Sequence, residues 1–208
     1  AANAVISKNT SHPILKLWTS NAVGERLKLY TARNGMDEAE YVVNEIKGLN
    51  MWGYSLKDIA VLYRTNAQSR VLEEALLHSG IPYILVGGTR FYERKEIKDV
   101  LCYLRLIANP RDSVSKKRSL KLGKRRLERF EEYKKELVDP ASYATLDLMD
   151  GVLAKTKYLD LFEKETEENL ARLENIKELR SVASQFPDIN DFLENVALVE
   201  AEQEATIK

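Results

Sequence analysis

The sequence predicts an α/β region over residues 26–110, built on a doubly wound parallel sheet, followed by an all-helical region that begins near Asp112. Strand-like and helix-like segments alternate as far as Pro110, which is typical of a parallel sheet with crossover helices. Beyond Pro110 the strand-like runs disappear and apolar residues recur at helical spacing. With 208 residues, 44% of them hydrophobic, the chain is long enough for one or two domains with real cores.

Three strands are predicted in the α/β region. Residues 26–32 alternate between polar and apolar side chains, and residues 58–63 form a short apolar run. Residues 81–86 form the third strand, which a tight turn at Gly87-Gly88 closes. Such short apolar runs between turn residues are typical of strands in a buried sheet.

Helices are predicted after each strand, over residues 38–49, 69–78 and 95–108. In the first, apolar residues at helical spacing form one stripe, and Asp37 is expected to be the N-cap. Gly80 ends the second helix, and Asn109-Pro110 stops the third. In the all-helical region, helices are predicted over residues 170–186 and 192–199, with Pro140, Gly151 and Pro187 as breaks.

Charge is unevenly distributed along a chain whose formal net charge is zero. Residues 111–135 hold 11 Lys and Arg against 4 Asp and Glu, whereas residues 136–208 hold 7 against 17. A concentrated basic block predicts a local anion site, with nucleic acid as the natural ligand. A solvated helix face explains the same charges equally simply, and the composition does not separate the two interpretations.

Several classes of protein are excluded by what the sequence lacks. Cys102 is the single cysteine, which rules out a disulfide framework or a cysteine-based metal site and favours a reducing, cytoplasmic compartment. No apolar run approaches the ~18 residues of a membrane span. The phosphate-binding pattern GxxxxGKS or GxxxxGKT is absent, and no metal site or catalytic set of side chains is recognisable. The opening AANAVISKN, without an initiator Met, indicates a piece of a longer protein.

The segment VLYRTNAQSR, residues 61–70, raises the question of function. An apolar run ends in Tyr63 and Arg64 and continues as a polar string. Ligands of open α/β sheets bind at the carboxyl ends of the strands, where a Tyr can stack on a flat ring and an Arg can bind a phosphate. The segment therefore predicts a nucleotide site.

Two long segments, IAVLYRTNAQSRVLEEAL and IPYILVGGTRFYERKEIKDVLCYLRLIANPRD, resemble the second motor domain of UvrD/PcrA/Rep-type superfamily 1 DNA helicases. RLENIKEL at 172–179 resembles a motif late in the helical domain inserted into that motor, and AANAVISKN is similar to the last helix of the first motor domain. The resemblance implies three parts: the end of the preceding motor domain and a linker (1–25), a partial RecA-like second motor domain, P-loop NTPase-like but without the P-loop (26–112), and the inserted all-helical domain (113–208).

The resemblance also implies roles for the Tyr-Arg pair. Tyr63 would stack on the adenine of ATP, and Arg64 would contact the γ-phosphate across the cleft between two motor domains, as a catalytic arginine finger. ATP with Mg²⁺ is the implied ligand, and the metal ligands would lie outside this chain. Gln68 and Arg70 are interpreted as structural residues at the start of the following helix, with Glu73 as an ion-pair partner.

DNA contacts are implied at two further places. In the family the region of residues 86–99 faces the single strand, so Arg90 would contact phosphate, and Phe91 or Tyr92 would lie near a base. The alternative is that Phe91 and Tyr92 belong to the core, with Arg94 and Glu96 in structural ion pairs.

The second place is the stretch KKRSLKLGKRRLERF, residues 116–130, which we call the basic turn. The family has a "PKRGIG"-like turn that grips duplex DNA, and this chain keeps only the glycine, Gly123. A helix N-terminus after that glycine would bind phosphate, helped by basic side chains, so duplex contact is predicted at Lys121, Gly123, Lys124, Arg125 and Arg126.

The resemblance thus implies part of an ATP-dependent DNA helicase that translocates 3′ to 5′ on single-stranded DNA and unwinds duplex DNA in replication or repair. The chain alone is expected to lack ATPase activity, because it has no P-loop. Two alternatives remain open. One is the motor part of a helicase-nuclease; the other is a non-catalytic module that binds DNA or docks protein partners through the acidic helical region.

Overall fold

The computed structural model describes residues 2–8, 16–86 and 88–205, with side chains as far as Glu202. The chain divides into two compact units, Ala1–Thr31 and Ala32–Lys208. Helices of the described residues are α1 (Ala2–Ile6), α2 (Gly35–Met51), α3 (Ser69–His78), α4 (Lys95–Ala108), α5 (Ser113–Lys121), α6 (Lys124–Glu136), α7 (Thr145–Thr156), α8 (Glu167–Ala183) and α9 (Ile189–Ala205). Short 3₁₀ turns lie at Leu56–Asp58, Asn66–Gln68, Phe91–Glu93, Pro140–Ser142 and Leu159–Phe162.

The first unit consists of α1 and an extended segment. The Asn3 side chain ties the two together, because its amide donates to the Leu17 carbonyl and its Oδ1 accepts from the Leu17 N–H, both at 2.8 Å. The predicted strand at 26–32 lies almost wholly in this unit. No strand is assigned to residues 26–32, and Leu27 and Leu29 are exposed. Residues 1 and 9 of AANAVISKN lie outside the described residues.

The second unit begins with a small core between α2, α3 and two extended segments, residues 59–64 and 81–86. Val43, Ile46 and Leu76 are its buried centre, and the inward-facing side chains of the two segments pack against it: Ile59, Val61, Ile81 and Tyr83. Helix α2 begins with Asn34 as its N-cap, and the Asn34 side chain accepts from the Asp37 N–H at 2.9 Å. The predicted N-cap, Asp37, lies instead in the first turn, where it pairs with Arg33.

The predicted strands at 58–63 and 81–86 are extended, but the described residues form no β-ladder. Burial alternates along both segments, and the outward-facing side chains of Leu62, Ile84 and Val86 are 93%, 90% and 88% exposed. A parallel strand needs hydrogen-bonded neighbours and cover on both faces. In the described residues α2 and α3 cover one face only. The described residues therefore form no sheet, and the parallel sheet of the predicted α/β fold stays a prediction.

The larger core surrounds α4, whose side chains are buried on nearly all faces. Helices α5, α7, α8 and α9 pack on α4, and α6 packs on α5 and α7 and contacts α4 through the rings of Phe130 and Tyr103. The largest buried side chains are Tyr92, Tyr103, Tyr158, Phe91, Phe130 and Phe192. Asp112 caps α5 by accepting from the N–H groups of Val114 and Ser115. The packing is continuous across Asp112, so the predicted domain limit coincides with a helix start inside one shared core.

Gly151 lies inside α7, and the prediction of a break there is wrong. A Cβ at this position would lie 2.1 Å from Oη of Tyr133 on α6. The glycine therefore allows α6 and α7 to approach closely, and this packing outweighs the low helix propensity of glycine.

Asp99 is one of two buried acidic residues of α4, with Glu96, and 2% of its surface is exposed. Its carboxylate accepts from Tyr158 Oη at 2.9 Å and from Arg118 Nε at 2.7 Å. The neighbouring thiol of Cys102 is buried, and burial raises its pKa to about 12. A thiol with that pKa is not reactive at neutral pH. No helix of the described residues is long and apolar enough to cross a membrane.

Candidate nucleotide and nucleic-acid sites

Residues 63–69, which we call the YR loop, lead from the extended segment into α3. Oε1 of Gln68 accepts from the backbone N–H groups of Arg64 and Thr65, each at 3.0 Å. The chain therefore turns immediately after the Tyr-Arg pair and is held there by its own side chain. The prediction that Gln68 is structural is confirmed.

A cleft of about 430 Å³ opens beside the YR loop. Tyr63 and Arg64 line one side, the first turn of α2 with Gly35 and Glu38 lines another, and α8 contributes Glu174 and Glu178. Tyr63 is half-buried and Arg64 is exposed. The structure thus brings the predicted aromatic ring and cation to one concave surface of ligand size.

The cleft has mixed charge. Arg64 and the N-terminus of α2 supply positive potential, and Glu38 and Glu174 supply negative potential. Arg70 offsets the charge of Glu178, with Nε 2.7 Å from its carboxylate. This arrangement suits a flat base and a single phosphate contact. It is not a cradle for a whole triphosphate, in agreement with the missing GxxxxGKS or GxxxxGKT pattern.

Arg94 holds the YR loop from the inside of the protein. Its side chain is buried and donates four hydrogen bonds, which together we call the Arg94 hub. Nη1 donates to the Asn66 carbonyl at 2.9 Å and to Oδ1 of Asn175 at 2.8 Å. Nη2 donates to Oγ of Ser69 at 2.7 Å, and Nε donates to the Thr89 carbonyl at 3.1 Å. Burial lowers the pKa of Arg94, and the carboxylates of Glu73 and Glu96 act in the opposite direction.

Asn175 on α8 completes the hub and was missed by sequence reasoning. Its Nδ2 donates to Oε1 of Glu96 at 2.6 Å while its Oδ1 accepts from Arg94. Asn175 therefore links Arg94 to Glu96. Both Arg94 and Glu96 had been expected to form structural ion pairs. The signal available in the sequence was the RLENIKEL run, whose asparagine this is.

Arg70 makes a second connection to α8. Nη1 donates to Glu74 at 2.5 Å and Nε to Glu178 at 2.7 Å, and Glu74 also accepts from Tyr92 Oη at 3.0 Å. The expected partner, Glu73, accepts instead from Tyr83 Oη at 3.2 Å, and burial raises its pKa. Glu73 and Glu74 both lie about one turn from Arg70, and they differ in what they contact: Glu74 accepts from Arg70 and Tyr92, whereas Glu73 accepts from Tyr83.

Phe91 and Tyr92 are core residues, with their rings edge to face at a centroid distance of 5.1 Å. The interpretation of these rings as core is confirmed, and neither is exposed to a base. Arg90, which precedes them, is partly exposed at the start of the 3₁₀ turn. Of the predicted turn at Gly87-Gly88, Gly87 lies outside the described residues.

The basic turn joins α5 to α6 through Gly123, whose φ of 112° favours glycine. Lys121, Lys124 and Arg125 are exposed. Arg126 was predicted to contact DNA, but its Nη1 donates to the Leu122 carbonyl at 3.1 Å and braces the turn. Gly123 has no side chain to cap α6, so the first N–H groups of α6 are open to an external acceptor.

The chain matches the UvrD-like helicase C-terminal domain over residues 1–179. It belongs to this family. It is also 37% identical to the ATP-dependent DNA helicase PcrA of Staphylococcus aureus, with 96% of this chain and 33% of the relative covered, and the match to PcrA of Staphylococcus epidermidis has the same identity and coverage. The chain thus spans about a third of the length of these relatives.

The family match includes the YR loop, the Arg94 hub and the basic turn, and it ends at Leu179 in α8. The alignment to the PcrA relatives is 240 positions long, which exceeds the 208 residues of the chain. These family members therefore have residues in the matched region that this chain lacks. Among the described residues, no cluster of three His, Cys, Asp or Glu is positioned to hold a metal ion.

Proposed function

We propose that the chain forms the nucleotide-contacting half of the second motor domain of an ATP-dependent DNA helicase, together with the helical domain inserted into it. The observation that carries this proposal is the position of Tyr63 and Arg64 at one cleft, on a backbone held by Gln68 and the Arg94 hub. Family membership supplies the reaction class.

In this proposal Tyr63 and Arg64 contact different parts of ATP. The Tyr63 ring stacks on the adenine and keeps the nucleotide at the cleft. The Arg64 guanidinium neutralises charge that develops on the γ-phosphoryl group as it is transferred to water. The P-loop and the ligands of Mg²⁺ come from another part of the complete protein, and closure of the two motor domains brings Arg64 to the phosphate.

The exposed apolar side chains of the two extended segments fit the same proposal. Leu62, Ile84 and Val86 form an exposed apolar face on two extended segments that already pack on helices by their other face. In the complete RecA-like domain, the predicted strands at 26–32, 58–63 and 81–86 pair with one another and with neighbouring strands. Both faces are then covered, as a parallel sheet requires.

DNA is proposed to contact two surfaces. Arg90 follows Thr89, whose carbonyl accepts from Arg94, and is proposed to contact the single strand. The basic turn offers Lys121, Lys124, Arg125 and the open N–H groups of α6 to duplex phosphates. The complete protein translocates 3′ to 5′ on single-stranded DNA and unwinds duplexes during replication or repair.

The test is DNA-stimulated ATP hydrolysis by the complete protein that carries this chain. Arg64→Ala is expected to lower kcat roughly 10³-fold, because the arginine-finger charge is lost. Lys155→Ala is the matched control, since it removes a surface cation whose partner, Glu136, is also exposed. Equal activity in the Arg64→Ala protein and the wild type would refute the nucleotide role of the YR loop.

The exposed basic turn supports a second candidate, a non-catalytic DNA-binding module. This function needs neither Tyr63 nor Arg64. It would be favoured if Arg64→Ala left both ATP hydrolysis and DNA binding unchanged while loss of the basic turn abolished DNA binding.

A further inference from the structure

We propose that Arg94 and Asn175 are positioning residues for ATP turnover, which set the place of Arg64 by holding the YR loop against α8. This inference rests on the proposed function, because it assigns how the nucleotide-contacting loop is kept in its working position. Neither residue lines the cleft, so both would act through the loop.

Arg94 connects several segments of the chain through one side chain. Its hydrogen bonds reach three separate segments: the YR loop at Asn66 and Ser69, the turn at Thr89, and α8 at Asn175. A planar guanidinium can serve four such acceptors at once, whereas an ammonium group is a single point on a flexible stem. Arg94→Lys therefore keeps the positive charge but loses the planar group that donates to all four acceptors.

Both ends of the Asn175 side chain form hydrogen bonds. Its carbonyl oxygen accepts from Arg94, and its amide nitrogen donates to Glu96. Asn175 is buried, so each of these groups would otherwise have to be desolvated without a partner. The side chain consequently fixes Arg94 relative to α8 and to the start of α4.

A second connection to α8 runs from Arg70 to Glu178. Asn175 and Glu178 lie three residues apart on one face of α8. Asn175 accepts from Arg94, which holds the YR loop, and Glu178 accepts from Arg70, the residue that follows the loop in α3. The loop and the helix that it enters are thus both connected to α8.

The consequence for catalysis falls on kcat rather than KM. Stacking on Tyr63 tolerates small displacements, whereas the arginine charge must lie where the transferring phosphoryl group develops its own charge. A shift of about 1 Å in such a group is enough to lower a rate by up to roughly 100-fold. Arg94→Lys and Asn175→Ala are each expected to lower kcat on the order of 10- to 100-fold and to change KM for ATP by less.

The experiment uses the complete helicase and compares Arg94→Lys, Asn175→Ala, the double variant and Arg64→Ala. Arg105→Lys is the matched control, because Arg105 lies on α4, the helix that Arg94 precedes, but pairs with Glu200 on α9 instead of the YR loop. Each protein is measured for kcat and KM, for melting temperature, and for hydrogen exchange of the amides in residues 63–69. If the two residues act as one unit, the double variant loses no more kcat than the worse single variant.

The outcomes separate the two proposals. Arg64→Ala at wild-type activity would sink the proposed function. A large loss in Arg64→Ala with wild-type kcat in Arg94→Lys would overturn the positioning role alone. An equal loss of kcat in Arg94→Lys and Arg105→Lys, with unchanged exchange at residues 63–69, would also overturn it, because general destabilisation would then be the cause. Support requires faster local exchange and a loss of kcat that Arg105→Lys does not share.

Discussion

The YR loop and the basic turn both carry exposed cations, but they hold them in opposite ways. Hydrogen bonds from the buried Arg94, 28 positions from Asn66, fix the loop from outside, and its own Gln68 fixes it from within. In the basic turn, Lys121, Lys124 and Arg125 extend into solvent, and Gly123 and Arg126 shape only the backbone.

The difference fits the two proposed roles. A charge that acts on a transferring phosphoryl group must lie in one position, which a loop with buried support can provide. A duplex backbone presents phosphates continuously and is attracted over a distance, so loosely held surface cations are sufficient. The two regions should therefore respond differently to mutation.

The largest expected effect is on folding, at the Arg94 hub. Arg94→Ala leaves Asn175, Glu96 and Glu73 without their central cation, and removal of one member of a buried charged network costs about 3–5 kcal/mol. Chemical denaturation would measure this as a decrease in the free energy of unfolding. Lys155→Ala, at an exposed ion pair, should change it by less than about 1 kcal/mol. A similar cost for both variants would remove the contrast between buried and exposed cations.

The next effect is on DNA affinity, at the basic turn. Lys121, Lys124 and Arg125 changed together to Ala should leave stability unchanged and reduce the slope of log K against log salt by about 3 for a forked duplex. Arg126→Ala is the informative companion, because its side chain braces the turn rather than facing solvent. If the triple variant binds with the wild-type slope, the basic turn is a solvated helix face and nothing more.

The close packing between α6 and α7 should be sensitive to a single methyl group. Gly151→Ala places a Cβ against Tyr133, and overpacking of this kind costs about 1–3 kcal/mol. Thermal unfolding would detect it, and Gly48→Ala is the control, because Gly48 is a helical glycine with no atom within 4 Å of the added Cβ. Unchanged stability in Gly151→Ala would mean that α6 and α7 can separate without cost.

The smallest expected effect concerns Asp112, which begins α5. A hydrogen bond from Ser115 Oγ, with further bonds from the backbone N–H groups of Ser115 and Val114, lowers the pKa of Asp112 below its ordinary 3.8. A lowered carboxyl pKa contributes stability above the unfolded-state pKa and loses it as pH falls through the folded-state value. Asp112→Ala should cost about 1 kcal/mol at neutral pH, as loss of an N-cap does.

Asp112→Asn separates the charge from the cap. Asparagine is an equally good N-cap but does not titrate, so the difference in unfolding free energy between wild type and this variant should shrink as pH is lowered from 7 to 3. Urea denaturation at the two pH values measures it. A difference that grows on acidification would contradict the assigned direction of the pKa shift.

Local spacing was enough to predict several helices closely. The predictions at 69–78 and 95–108 match α3 and α4 at both ends. Gly80 stops the first helix, Asn109-Pro110 stops the second, and the apolar stripe of each is long. The Tyr-Arg pair was predicted to line a nucleotide site; the structure places both residues at one cleft, and nucleotide binding there stays a prediction. The prediction of a helix break at Gly151 failed because close packing of this glycine against Tyr133 on α6 outweighs its low helix propensity.

The sequence by itself determined where helices form and which two side chains end the apolar run at Tyr63, because both follow from neighbours within a few residues. Only the tertiary structure decided that Arg94 would hold Asn66, 28 positions away, and Asn175, 81 positions away. Hydrogen bonds across such separations depend on which helices share a core, and no local pattern specifies that. For the same reason the extended segments have the pattern of strands, while strand pairing requires neighbours that only a complete sheet supplies.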